Sequence, residues 1–192
     1  MGKIVISENI TLDGVVQDPT GEEGVGYESW TSDVPEADLQ EWAKVLFDEA
    51  LATEALLLGR RSDEWFATRW LGRTGGWADR LNGLPKYVVS STLKEPKWGN
   101  GKVLTGNVVT EVGLLRRELA GDILVIGSTQ LAHALLEADL VDELRLMVYP
   151  VVLGTGQRLL GQGGGRQAMR LVRAQPVGDS LTRLTYERAR AA

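Results

Sequence analysis

Apolar positions along this chain follow two periods that trade places from one end to the other. Residues 3–10, KIVISENI, alternate briefly and predict a first strand close to the amino terminus. Residues 36–51 instead put Leu39, Trp42, Ala43, Leu46, Phe47 and Ala50 on one face at helical spacing, with Pro35 suited to the first turn. The run EALLLG at 54–59 is almost uniformly apolar and ends in glycine, the pattern of a strand covered on both faces. RRSDEWFATRW has helical character, whereas LGRTGGWADRLNGL is broken by glycines and reads as irregular. Strands are expected again in KYVVSSTL (86–93) and KVLTG, and a helix over 109–119 with Val112, Leu115 and Leu119 inward. In DILVIGSTQLAHALL, residues 122–136, a buried strand turns abruptly into a helix. DELRLMVYP alternates through Leu144, Leu146 and Val148, and AMRLVRAQPV and LTRLTYER flank GDS as an antiparallel hairpin. Strands alternating with helices predict one α/β domain over 1–192, its sheet mostly parallel with an antiparallel edge.

Composition narrows the chemistry. A chain of 192 residues, 43% hydrophobic and 24% charged, can bury a sizeable core. The net charge of -5, with no block of like charges, argues against a nucleic-acid partner but leaves room for a local basic patch. With no cysteine and one histidine, the sequence supports neither a disulfide framework nor a thiol nucleophile, and no metal is expected. The amino terminus lacks the long apolar core of a signal peptide and no run approaches membrane-spanning length, so a cytoplasmic protein without a membrane partner is expected. The single histidine, His133, is two positions from Leu131, about 200° around the predicted helix, and reads as a surface residue.

Three predicted strand ends carry the same kinds of residue: Gly59-Arg60-Arg61-Ser62, Ser90-Ser91-Thr92 and Gly127-Ser128-Thr129. In an open α/β sheet, ligands collect beyond the carboxyl ends of the strands, where helix N termini offer unpaired N–H groups to an anion. Glycine and serine let a phosphate approach, and paired arginines add forked donors for another. Such an array suits a phosphorylated cofactor such as a dinucleotide; the same residues also serve as ordinary turns and helix caps, and Arg60 and Arg61 as solvated partners of Asp63 and Glu64. Neither G-x-G-x-x-G nor G-x-x-x-x-G-K-[ST] occurs. Of the six tryptophans, Trp42 fits a core face, Trp65 and Trp70 flank a helix, and Trp30, after an acidic loop, is placed to line a flat slot for a ring-shaped ligand. The glycine-rich stretch at 151–165 fits either a phosphate cradle or a long connection.

The segments TLDGVVQDP, ALLLGRRSDEWF, LNGLPKYVVSSTL, DILVIGSTQLAHALLEADLVDELRLMVYPVVLGTGQRLL and LTRLTYE together resemble the dihydrofolate-reductase-like superfamily. They are most similar to the C-terminal reductase domain of the bifunctional riboflavin-biosynthesis deaminase/reductase and its stand-alone relatives, in the same order and over residues 3–188. The resemblance implies a three-layer α/β fold, with a central mostly parallel mixed sheet flanked by helices and a C-terminal antiparallel hairpin. It also implies a homodimer, an NADPH site and hydride transfer to a small planar heterocycle such as a pterin or pyrimidine. By the same resemblance, Gly59, Arg60, Arg61 and Ser62 would hold the adenosine phosphates, with Ser90, Ser91 and Thr92 beside the 2′-phosphate and adenine. The pyrophosphate turn would fall on Gly127, Ser128, Thr129, Gln130 and Leu131, and the loop carrying Asp13, Gly14 and Val16 near the nicotinamide. Asp13 is the candidate catalytic and substrate-orienting acid, with a turn-capping role equally open to it.

Three departures bear on this. Folate reductases carry a carboxylate in the first long helix, and counting back from Gly59 reaches Ala43; Asp38, Glu41 and Asp48 share the helix out of register, which argues against folate as substrate. Ser62-Asp63 stands where relatives have Thr-Tyr, and Asp63 is expected to face solvent. The cysteine pair and histidine of a deaminase zinc site are absent. Two rival readings stay open: a non-catalytic dimer that binds a nucleotide or pterin, and a reductase that uses a deazaflavin.

Overall fold

The computed structural model describes residues 1–160 and 166–189, and within them eight strands form one sheet. In chain order the elements are β1 (Lys3–Thr11), α1 (Glu36–Ala52), β2 (Thr53–Gly59), α2 (Arg60–Trp70), α3 (Gly76–Gly83), β3 (Lys86–Val89), β4 (Gly101–Leu104), α4 (Val108–Glu118), β5 (Asp122–Val125), α5 (Thr129–Glu137), β6 (Glu143–Tyr149), β7 (Met169–Val177) and β8 (Leu181–Arg188). The sheet order is β4-β3-β2-β5-β1-β6-β8-β7. Strands β4 through β6 run parallel, and β8 pairs antiparallel with both β6 and β7. This is the expected three-layer α/β fold, its sheet mostly parallel with a C-terminal antiparallel hairpin. Part of the glycine-rich stretch at 151–165, residues 161–165, lies outside the described residues.

Alternation decides which layer each side chain joins. On β1, Ile4, Ile6 and Ile10 pack with Val112 and Leu115 of α4 and Leu131 and Leu135 of α5. Val5 faces the other way, toward Ala50 of α1 and Ala67 of α2. Strand β2 is apolar from Ala55 to Leu58 because both its faces are covered there: Leu57 joins the α4/α5 side, Leu56 and Leu58 the α1/α2 side. The parallel strands β3, β2, β5 and β1 thus bring their carboxyl ends to one edge of the sheet, the edge where a ligand site is expected.

Two segments differ from the sequence expectation. Residues 76–83 form helix α3 despite a glycine at each end, because Trp77, Ala78 and Leu81 pack inward and Lys86 closes its last turn. The fully buried Lys86 ammonium donates to the carbonyls of Leu81 and Asn82, at 2.7 Å each, and sits over the Trp98 ring. Burial pushes that ammonium down to about 8, with the Asp63 charge pulling the other way. Strand β3 ends at Val89, earlier than KYVVSSTL suggested, since the Ser90 hydroxyl accepts the N–H groups of Thr92 and Leu93 and turns the chain.

Asp63 also departs from expectation. It is fully buried, and its carboxylate accepts the backbone N–H groups of Lys97 (2.6 Å) and Trp98 (3.1 Å). It thereby fastens the 90–100 connection to α2. Replacing it with alanine leaves the buried Trp98 N–H and the part-buried Lys97 N–H without an acceptor; Asp63→Ala should lower unfolding free energy by about 2–4 kcal/mol in urea melts, and a loss under half that would show the connection is held by other contacts.

Candidate active site

A cleft of about 1000 Å³ opens at the carboxyl edge of the parallel strands. The Gly59–Ser62, Ser90–Thr92 and Gly127–Leu131 segments all line it, so the three strand ends singled out in the sequence converge on one place. Two helices begin there without a side-chain cap: α2, whose N-cap position is Gly59, and α5, whose N-cap position is Ser128. Ser128 occupies the helix-capping position but does not cap. Its hydroxyl instead crosses to the neighbouring turn, accepting the Gly59 N–H at 2.7 Å and lying 2.5 Å from the Ser62 hydroxyl. Both first-turn sets of N–H groups therefore stay open toward the cleft, each with the positive end of a helix dipole behind it.

The backbone needed for this is unusual. Gly127 and Ser128 have φ of 60° and 64°, successive left-handed residues. A side chain on Gly127 would in addition meet the Ser62 hydroxyl at 3.0 Å, so glycine is needed there on both counts. Arg60 and Arg61 stand at the cleft margin, Arg60 paired with Glu64 at 3.1 Å in solvent.

The opposite wall is aromatic. Trp42 of α1, Trp65, Phe66 and Trp70 of α2, and Trp77 of α3 line it, with Trp77 set edge-on to both Trp42 and Trp70 at centroid separations of 6.0 and 5.1 Å. Below them the α1-facing positions of the sheet are polar. The Asn9 side-chain oxygen accepts the Trp42 indole N–H at 3.0 Å, and the Ser7 hydroxyl donates to Glu49 at 2.7 Å. The second Glu49 oxygen accepts from Arg145 (3.2 Å) and Arg183 (2.5 Å). Arg145 also reaches Glu143 (2.5 Å) and Asp122 (2.8 Å). Burial alone would lower the Arg145 guanidinium; its hydrogen bonds to Asp122 and Glu143 and the Glu49 charge more than reverse that and hold it ionised.

The α1 acid that lines the cleft is thus Glu49, not Asp38, Glu41 or Asp48. Asp38 is committed to the β7–β8 turn, accepting the N–H groups of Asp179 (3.0 Å) and Ser180 (2.8 Å), and Glu41 pairs with Lys44 in solvent. Glu49 stands at i+7 from Trp42 and i+3 from Leu46, so it shares their face, a signal present in the sequence. Glu8 is a second cleft acid that sequence reasoning missed. In the row Ile4, Ile6, Glu8, Ile10 it is an acid at an inward position, and it lines the cleft with Oε1 shut off from solvent and without a hydrogen-bond partner. Burial pushes its carboxyl from 4.5 up to about 8, against the pull of the Gly127 N–H.

Two predicted site residues lie elsewhere. Trp30 is core: 1% exposed, edge-on to Tyr149, its indole N–H donated to the Gln17 carbonyl at 3.0 Å. It holds the loop after β1 from behind and does not line the cleft, because Tyr149 and Val34 draw the ring inward. Asp13 is a latch and not a cleft acid. Its carboxylate accepts from the Thr11 hydroxyl (2.7 Å) and the Leu153 and Gly154 N–H groups (3.2 and 2.9 Å), and pairs with Arg158. Those bonds, the Thr11 one foremost, hold it down at about 2. Val16 does line the cleft, with Gln17, Asp18 and Pro19 from the same loop. His133 does not; its Nε2 lies 3.0 Å from the Arg158 carbonyl. Among the described residues no group of three or more His, Asp or Glu side chains is placed to hold a metal, and no helix is long and apolar enough to cross a membrane.

An open mixed sheet with two uncapped helix N termini at its carboxyl edge, faced by an aromatic wall, is the architecture of an α/β protein with a ligand cleft at the strand ends, suited to an anionic group. The family model described as the RibD C-terminal domain matches residues 2–182, and the chain belongs to that family. Uncharacterized protein YyaP of Bacillus subtilis (strain 168) is 24% identical over 189 residues, which cover 96% of this chain and 94% of that protein. Among solved structures, a Shewanella sp. PV-4 protein provisionally assigned to riboflavin biosynthesis superposes with a TM-score of 0.77 at 22% identity, over 98% of this chain and 99% of that one. Dihydrofolate reductase from Enterococcus faecalis, solved in complex with NADP(H), superposes with a TM-score of 0.58 at 15% identity over 98% of each chain. At these identities the likenesses establish the fold.

The Asp13 latch gives a test with a definite sign. Its folded value is depressed below the ordinary 3.8, so its stabilisation is present above pH 3.8 and is lost as pH falls through about 2. Asp13→Asn should cost about 1–2 kcal/mol in urea melts at pH 7, with the gap from wild type closing toward pH 2. A gap that persists at pH 2 would place the stabilisation elsewhere.

Proposed function

We propose that the protein is an NADPH-dependent reductase that transfers hydride to a C=N or C=O bond of a small planar heterocycle. The observation that carries this reading is the pair of uncapped helix N termini, at Gly59 and Ser128, held side by side over one cleft. Two such termini, with Arg60, Arg61, Ser62 and the Ser90–Thr92 turn beyond them, suit a ligand with phosphates at more than one point. The residues present fit NADPH: Gly127 to Leu131 against the pyrophosphate, Arg60, Arg61 and Ser62 with Ser90 to Thr92 at the adenosine 2′-phosphate end, Val16 toward the nicotinamide. NADPH supplies the hydride when bound. The chain's part is to hold the two partners face to face and keep water out, with the Val16–Pro19 loop on one side and the tryptophan wall on the other.

The wall favours a flat ring, which can lie against Trp42 and Trp77. Because both Glu49 oxygens are already engaged, α1 presents no free carboxylate to a cationic ring. The donors left over on Arg183 and on the Asn9 amide suit a ring that carries carbonyl oxygens, which favours a pyrimidine-dione-like substrate over a pterin. The protein acts in this reading as a cytoplasmic homodimer, each chain one domain.

Titration with NADPH should quench tryptophan fluorescence and saturate. Arg60→Ala should weaken NADPH roughly tenfold or more while changing NADH little, the result expected if its guanidinium grips the 2′-phosphate. Equal losses for the two nucleotides would remove Arg60 from that role, and no wild-type binding at millimolar nucleotide would reject the reading.

A further inference from the structure

The cleft contains one acid whose surroundings no phosphate contact and no substrate contact explains. Glu8 is on the α5 side of β1, between Ile6 and Ile10 and opposite Leu146 of β6. Ile6, Ile10 and Leu146 belong to one apolar cluster with Leu131 and Leu135 of α5 and Val16 of the overlying loop. No charged side chain among the described residues acts on it; the one polar influence is the Gly127 N–H. Its Oε1 has no partner, although a buried polar atom left unpaired is costly. An apolar residue would fill the position at lower cost, so a carboxyl there calls for a ligand that completes its hydrogen bonding.

We propose that Glu8 contacts the nicotinamide half of the dinucleotide, its carboxylic acid donating a hydrogen bond from Oε1 to the carboxamide oxygen. The inference rests on the NADPH reading above. Its direction follows from three placements. Glu8 lies against Gly127, the first residue of the turn assigned to the pyrophosphate, and its flanking residues Ile6 and Ile10 share one apolar cluster with Val16, the loop residue assigned to the nicotinamide. It is on the face of β1 opposite to Ser7 and Asn9, which underlie the tryptophan wall, so it approaches the dinucleotide from the side away from the substrate ring. An ionised carboxylate beside a pyrophosphate turn would repel the anion, whereas a protonated one can donate to an uncharged acceptor. Burial keeps Glu8 in the second form at neutral pH, its carboxyl being pushed up to about 8.

The test measures binding of two probes, NADPH and 2′-phospho-ADP-ribose, which keeps every phosphate and lacks the nicotinamide. Glu8→Ala should weaken NADPH about tenfold, the loss of one buried hydrogen bond, and leave the fragment within about twofold of wild type. Glu8→Gln retains an N–H donor and should hold NADPH within about threefold at pH 7. From pH 7 to 9 wild-type affinity for NADPH should fall relative to that for the fragment, and the glutamine variant should show no such divergence. Glu8→Ala should melt at or above the wild-type temperature, because a buried unpaired acid is removed; a structural role would lower the midpoint instead. Equal losses for the two probes, unchanged NADPH binding in Glu8→Ala, or a lowered melting temperature would overturn the proposal. A wild-type protein that binds the fragment and NADPH equally well would overturn it alone, and one that binds neither would overturn the dinucleotide reading with it.

Discussion

The Ser128 hydroxyl is the contact on which the site turns. A serine that opens a helix ordinarily folds its side chain back onto the first-turn N–H groups. Here it reaches sideways to the Gly59 N–H and the Ser62 hydroxyl, 69 and 66 residues away in sequence. That choice has two consequences. It ties the end of β2 to the end of β5, fixing the two helix N termini at one spacing, and it leaves the N–H groups of α5 free. The left-handed backbone at Gly127 and Ser128 is what aims the hydroxyl across, and strain of that kind persists only where the surroundings hold it. Gly59 belongs to the same device, since a β-carbon there would press on the Ser128 hydroxyl at 3.0 Å.

What was legible in the sequence was local. The strand order of apolar runs, the α/β class and the three hydroxyl-rich strand ends are composition and period within a few residues, and all three strand ends do meet at the cleft. What was not legible depends on partners far along the chain. Asp13 was open between a cleft acid and a turn cap, and the turn role is decided by N–H groups 140 and 141 residues later. Asp63 was expected in solvent because a carboxylate turned toward a phosphate site would weaken anion binding, yet it is buried on the backbone at Lys97 and Trp98. Helix α3 was hidden by its flanking glycines, and only the Lys86 ammonium against its last carbonyls shows why it holds. Glu8 and Glu49 differ from these: each breaks an apolar row at its own periodic position, so their signals were present and local.

The polar floor under the tryptophan wall follows one electrostatic rule. Glu49, Arg145 and Arg183 are all poorly exposed, and ions taken from water must find one another or be neutralised. Arg145 satisfies three carboxylates at once, on α1, β5 and β6, so α1 is joined to the sheet by directional bonds as well as by the apolar contact at Ala50. Such a junction contributes geometry more than stability, since two apolar surfaces of the same size would associate at least as well.

That geometry explains why there is a cleft at all. Helix α1 has an apolar face which, left to itself, would settle onto the sheet and close the gap. It is instead fastened by a carboxylate near each end: Asp38 to the N–H groups of the β7–β8 turn, and Glu49 to Arg145, Arg183 and Ser7. These anchors are eleven residues apart in sequence, about 16 Å of helix. Between them Trp42 and Leu46 remain only partly buried and face the opening, with the Trp42 indole N–H bonded to Asn9 of β1. The aromatic surface that a flat substrate needs is therefore the part of the α1 face that two salt-and-backbone anchors prevent from packing down.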